Sequence, residues 1–160
     1  VSGGSAPTVL VLGYGNPGRC DDGLGPALAH EIAARGLAGV RTESAYQLAL
    51  EDAALAAEHD VVVFADASRT GAGPFEFREA APLVRHEFTT HALSPEAVLG
   101  VARDVLAARP RAWVLAIRGE SFDAFGEGLS PAAAANLAAA VEFLDREIRS
   151  GLRRPRRSEG

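Results

Sequence analysis

The chain has 160 residues, 48% of them hydrophobic, enough for one ordinary domain with a buried core. It has no lysine, which excludes a lysine nucleophile, a Schiff base and a P-loop lysine, and its one cysteine, Cys20, excludes an internal disulfide and a multi-cysteine zinc site. The formal charge of −5 is uneven: residues 151–160 hold four arginines against Glu159, a net of +3, which leaves twelve arginines against 20 acids over residues 1–150, a net of −8 that argues against nucleic acid as a partner.

Thr8–Leu12 is a short apolar run that ends in glycines, as a buried parallel strand does. A Gly-rich turn spans Gly13–Gly25. Leu24, Leu28 and Ile32 then recur every four residues, which predicts a helix from Leu24 to about Arg35, closed by Gly36. Val40–Ser44 reads as a second strand and Gln47–Glu58 as a helix. Val61–Ala65 is the clearest strand in the chain, with Asp66 directly after it. Arg69–Pro74 reads as a turn, Phe75–Glu79 as an edge strand and Thr89–Leu93 as a loop. Ser94-Pro95 is a helix start, a serine cap followed by proline in the first turn. That helix runs to about Ala108 with Val98, Val101 and Val105 on one face. Ala112–Ile117 is another buried strand and Gly119–Leu129 an irregular Gly-rich stretch. Ser130-Pro131 repeats the cap signal and opens a last helix with the stripe Leu137, Val141, Leu144 and Ile148.

Strands that alternate with helices predict an α/β fold, a three-layer α/β/α sandwich of the phosphorylase/hydrolase-like kind around a twisted, mostly parallel sheet of about five strands. We expect a flexible N-terminus over residues 1–7, one domain over 8–150 and a basic, disordered tail over 151–160. No apolar run reaches the ~20 residues of a membrane helix, and residues 1–7 lack the basic start of a signal peptide. These features suit a cytoplasmic protein with no membrane partner, and we expect a monomer.

In such sheets ligands bind beyond the carboxyl ends of the strands, where strand order reverses. Asp21 and Asp22 lie beyond the first strand, Asp66 after the third and His91 in the loop behind the edge strand. Asp21 suits the N-cap of the first helix. Asp22, Asp66 and His91 together offer two carboxylates and one imidazole, a donor set for a borderline divalent metal such as zinc, nickel, iron or manganese, with positions left for water or substrate. Taken singly, Asp22 also suits a helix dipole, Asp66 a turn and His91 a structural loop. His30, His59 and His86 read as structural or solvated, and Cys20 as a passive thiol. Gly13-Tyr14-Gly15-Asn16-Pro17-Gly18 fits the GxGxxG fingerprint, but Pro17 and Arg19-Cys20 delay the helix. Asp21 and Asp22 then set carboxylates where a pyrophosphate belongs, so no nucleotide cofactor is expected.

Gly13-Tyr14-Gly15-Asn16, then Arg19 and Asp21-Asp22-Gly23-Leu24-Gly25, resembles the N-terminal signature of the hydrogenase maturation endopeptidases. Phe64-Ala65-Asp66-Ala67 resembles their second motif, Thr90-His91 with Leu93-Ser94-Pro95 their third, and Gly126–Ser130 a loop common in many members. The match runs in order from about Val9 to Ile148. The resemblance implies an α/β sandwich with a twisted five-stranded sheet. It also implies an endopeptidase that removes the C-terminal peptide of a NiFe hydrogenase large-subunit precursor once nickel has been inserted. The family's metal-binding acids fall on Asp22, where many members have Glu, and on Asp66, and its histidine falls on His91. Cys20 matches no required residue.

Two mechanisms follow from the resemblance. In the favoured one, nickel carried by the substrate is tested by Asp22, Asp66 and His91, and the nickel or a carboxylate activates water against the peptide carbonyl. In the other, the protein holds its own divalent metal. Asn16 either polarises the scissile carbonyl or holds the turn. Two alternatives stand beside the protease: a nickel-checking chaperone that docks without cutting, and an esterase like peptidyl-tRNA hydrolase, whose start GNPG also resembles. That second family needs Arg-His-Asn next, where this chain has Arg19 followed by Cys20-Asp21-Asp22, and the acidic charge disfavours tRNA.

Overall fold

A computed structural model describes residues 6–83 and 93–152. The five strands are β1 (Val9–Tyr14), β2 (Val40–Ala45), β3 (Val61–Ser68), β4 (Phe75–Ala80) and β5 (Arg111–Arg118). The helices are α1 (Leu24–Ala34), α2 (Glu51–Ala57), α3 (Pro95–Leu106) and α4 (Pro131–Arg149), with one 3-10 turn at Cys20–Gly23. One sheet contains all five strands in the order β2-β1-β3-β5-β4. Neighbours are parallel except β4, which pairs antiparallel with β5 at the edge. The expected α/β sandwich with a mostly parallel sheet is therefore what forms.

Alternation along the strands divides the core in two, because successive side chains point to opposite faces. Val9, Val11, Val61, Val63, Leu115 and Ile117 pack on one face with Leu24, Leu28 and Ile32 of α1 and with Val141 and Leu144 of α4. Leu10, Leu12, Val62, Phe64 and Val114 pack on the other with Ala53 and Ala56 of α2 and with Val98, Leu99 and Ala102 of α3. Both serine caps form as the sequence suggests: Ser94 Oγ accepts from Ala97 N at 3.1 Å and Ser130 Oγ from Ala133 N at 3.2 Å. Among the described residues no helix is long and apolar enough to cross a membrane.

Three local expectations are corrected. The buried face of α3 is Val98, Leu99 and Ala102, while Val105 is 71% exposed; the i, i+1, i+4 set faces the sheet, and the valine spacing drifts off it. Helix α2 begins at Glu51, not Gln47, because the Asp52 carboxylate accepts from Ala49 N at 2.8 Å and closes a turn ahead of the helix. Strand β3 runs on to Ser68, so Asp66 lies inside a strand rather than after one. Its extension is held by β5, where Asp66 pairs with Ala116 and Ser68 with Arg118.

The chain passes from β1 outward to β2, then crosses back over β1 to β3. The strand order thus reverses between β1 and β3, which opens a crevice at their carboxyl ends. The α1 start packs directly over that point. A Cβ on Gly25 would run into the carbonyl oxygens of both Tyr14 and Ala65, so only glycine lets the helix approach β1 and β3 this closely.

Candidate active site

The two adjacent aspartates of the first loop have separate fates. Asp21 was expected to cap the following helix and does not: neither the 3-10 turn nor α1 has a side-chain cap. Its side chain is fully buried and turns to the 119–130 loop, about 100 residues away. Glu120 N and Ser121 N each donate to Oδ2 at 2.8 Å, Ser130 Oγ donates to Oδ2 at 2.7 Å, and Ser130 N donates to Oδ1 at 2.7 Å. Burial alone would raise this carboxyl's pKa. The donors from Ser121, Glu120 and Ser130 outweigh it and hold the group below the usual carboxylate range. Backbone bonds continue the clasp, with Cys20 N to Gly126 O, Gly126 N to Gly18 O and Asp21 N to Ser121 O all at 2.9 Å. The sequence hid this role because its partners are remote in the chain.

Asp22 is held on the other side of the loop. Asn16 N donates to Asp22 Oδ2 at 2.7 Å, and Asn16 Oδ1 accepts from Gly18 N at 2.9 Å. The Asn16 side chain therefore closes the turn while its backbone orients Asp22. Gly15 makes the geometry possible: its φ is +141°, and a Cβ there would run into the Asp22 carbonyl oxygen.

Asp66 reaches the same place from β3. Gly13 and Ala65 are register partners of β1 and β3, so Tyr14 and Asp66, one step on, lie side by side on the face that carries α2 and α3. Ala67 N donates to Asp66 Oδ1 at 2.8 Å, and Tyr14 lines the same cleft as the carboxylate. Burial pushes the Asp66 carboxyl up to about 6; Ala67 N–H and the Tyr14 phenol pull it back, and the negative charge of Asp22 pushes it up further. The Asp22 charge is the weakest of these influences, and its sign is that of a second carboxylate near the same strand ends. Two carboxylates at neighbouring strand ends are donors of the kind a divalent cation takes. Among the described residues, though, no group of three potential ligands is assembled. His91, the third expected ligand, lies outside the described residues, as does His86. His59 is structural, with Nδ1 2.8 Å from the Leu55 carbonyl at the end of α2, and His30 is exposed on α1.

Asp66 opens into a cleft of about 450 Å³ lined by Tyr14, Arg78, Leu93, Ser94, Glu96 and Ala116 among others. Arg78 Nη1 donates to Glu96 Oε1 at 2.7 Å across it. Sequence reading missed Tyr14, Arg78 and Glu96. Tyr14 was readable from parity, since Leu10, Leu12 and Tyr14 share one face as Val62, Phe64 and Asp66 do; Arg78 and Glu96 carry no such local signal. At the rim the 69–74 turn meets the 119–130 loop, where Arg69 lies over the Phe122 ring at 4.4 Å and 3.7 Å from Asp123.

Neither a protein-family model nor a curated protein matches the sequence. Solved structures do match. The hydrogenase-maturating endopeptidase HybD from E. coli superposes with a TM-score of 0.67 at 21% identity, over 89% of this chain and 92% of that one. The NiFe hydrogenase maturation protease HycI from Thermococcus kodakarensis gives 0.69 at 20% identity, over 91% and 95%. A hydrogenase 2 maturation peptidase from a Thaumarchaeota archaeon gives 0.63 at 19% identity, over 88% and 97%. Several similar structures are thus named as hydrogenase maturation endopeptidases, and the chain has the α/β fold that those proteins share.

Proposed function

We propose that this chain is a hydrogenase maturation endopeptidase, which removes the C-terminal peptide of a NiFe hydrogenase large-subunit precursor after nickel insertion. What supports this reading is the placement of Asp22 on the loop beyond β1 and of Asp66 near the carboxyl end of β3, at the point where strand order reverses, in a fold shared with proteins of that name. We place it in the cytoplasm as a monomer, with no nucleic acid or membrane partner.

In this reading the nickel belongs to the substrate. Asp22, Asp66 and His91 offer it two carboxylates and an imidazole, so a precursor without nickel lacks the charge that draws its tail into the cleft. One carboxylate of the pair takes a proton from the water that attacks the peptide carbonyl, and the proton is returned to the leaving amine as the bond breaks. Asn16 Oδ1 is committed to the turn, which leaves its amide Nδ2 as the part offered to the carbonyl.

The test is mass spectrometry of nickel-loaded and nickel-free precursor after mixing with the purified protein. Shortening of the loaded precursor alone is expected. An unshortened loaded precursor overturns the protease reading, and nickel-dependent binding without shortening identifies a checking module instead.

A further inference from the structure

We propose that Tyr14 is a positioning residue for Asp66, its phenol fixing the direction in which that carboxylate meets the substrate. The inference rests on the proposed function and adds to it a residue outside the expected set of Asp22, Asp66, His91 and Asn16.

Three observations carry it. First, the register of β1 and β3 places Tyr14 and Asp66 as lateral neighbours with side chains on one face, so the contact is built into the sheet rather than into a loop. Second, both residues line the same cleft, with Arg78 and Glu96. Third, the oxygens of the cleft leave one place for the phenol's proton: Glu96 Oε1 already accepts from Arg78 Nη1 at 2.7 Å and Asp66 Oδ1 from Ala67 N at 2.8 Å, so Asp66 Oδ2 is the oxygen to which the neighbouring phenol can donate.

With the phenol bonded to Oδ2, donors from two adjacent strands hold one carboxylate. Such outer hydrogen bonds orient a ligating or proton-accepting carboxylate, and losing one costs about 10–100-fold in metal affinity or activity. The competing role is packing alone, since Tyr14 also packs on the core cluster beside α2 and α3. Phenylalanine preserves that packing and removes only the donor, so the two roles separate.

The experiment compares wild type, Tyr14→Phe and Asp66→Asn in cleavage of nickel-loaded precursor and in the near-ultraviolet tyrosine band. The chain has two tyrosines, Tyr14 and Tyr46, and Tyr46 is 75% exposed, so a perturbed band reports Tyr14. Tyr14→Phe is expected to lower kcat about 10–100-fold with KM within about twofold. Asp66→Asn is expected to shift the tyrosine band of the wild type, and to leave the band unmoved in the Tyr14→Phe background. Wild-type kcat in Tyr14→Phe, with Asp66→Asn inactive, overturns the inference and leaves the protease reading intact. An active Asp66→Asn overturns that reading itself. If Tyr14→Phe does not fold, the spectrum of Asp66→Asn still decides: an unmoved tyrosine band means that the phenol does not bond Asp66.

Discussion

Asp21 and Asp66 are both withdrawn from solvent at the same end of the same sheet, and their surroundings are opposite. Four protein donors surround the Asp21 carboxylate, so it is held ionised and below its usual pKa. Asp66 has one backbone donor, is half-buried, and is pushed up to about 6, chiefly by burial and in lesser part by the charge of Asp22. A buried charge that is fully hydrogen-bonded serves the fold; one left short of donors and facing a like charge is a cost that a substrate can relieve. The contrast separates the clasp from the candidate group without reference to sequence spacing, and Asp22, next in the chain to Asp21, is bonded to Asn16 N on the other side of the loop.

The strongest way to break this contrast is to neutralise Asp66. Asp66→Asn is expected to lower precursor cleavage by about 10²–10⁴-fold, the range for loss of a positioned acid–base group. The melting temperature should hold or rise, because the substitution removes an under-solvated charge and its repulsion with Asp22. Calorimetry beside the cleavage assay checks both. A fall in stability without loss of cleavage would exchange the roles of the two aspartates.

Asp21→Ala is expected to do the reverse. It strips the acceptor from Glu120 N, Ser121 N, Ser130 N and the Ser130 hydroxyl around a fully buried side chain. Each unmatched buried donor costs about 1–3 kcal/mol, so a loss of about 3 kcal/mol or more is expected in urea unfolding. At a temperature where the variant is folded, cleavage should stay within about tenfold of wild type, since Asp21 faces the 119–130 loop and not the cleft.

How much of this was legible beforehand follows from the range of the interactions involved. Strands and helices were readable because their signals are local: the apolar run of Val61–Ala65, the four-residue spacing of Leu24, Leu28 and Ile32, and the Ser-Pro starts of α3 and α4. The placement of Asp22 beyond β1 and of Asp66 near the end of β3 was readable because the strand pattern implies that β1 and β3 are parallel. Asp21 was misread because a cap is a local prior, whereas its partners at 120–130 are brought in only by the closed fold. The end of β3 was misread for the same reason, since β5 rather than the sequence of β3 keeps Asp66 in the ladder. His91 was identified by resemblance and lies outside the described residues.

The pH dependence of stability sharpens the comparison. Asp21 has a folded pKa below its unfolded value of about 3.9, so its contribution is fully present above that value and is lost as pH falls through the folded pKa. An acid limb below about pH 4 is therefore expected, to which Asp145, held down chiefly by Arg149 and also by Arg35, adds in the same sense. Asp21→Asn should flatten this limb relative to wild type in denaturant midpoints taken from neutral to acid pH. A parallel limb in both proteins would assign the acid sensitivity to Asp145 and other carboxylates.

The smallest effect is expected at Cys20, between the two aspartates' regions. Its Sγ lies 3.8 Å from the Ala124 carbonyl, on the side of the 119–130 loop, and its backbone N–H is bonded to Gly126. The residue thus belongs with the Asp21 clasp and not with the carboxylate pair. Its φ of +50° puts it, among the described residues, with Ala107 and Leu152 as non-glycine residues in the left-handed region. Cys20→Ser keeps the size of the side chain and a polar hydrogen that can meet the Ala124 carbonyl, so stability should change by about 0.5 kcal/mol or less. Precursor cleavage should be within about twofold of wild type, because proton transfer in the proposed reaction runs through carboxylates and not through a thiolate. Loss of cleavage in Cys20→Ser, with Asp66→Asn still active, would move the nucleophile to the thiol and turn the Asp22–Asp66 pair into its electrostatic setting.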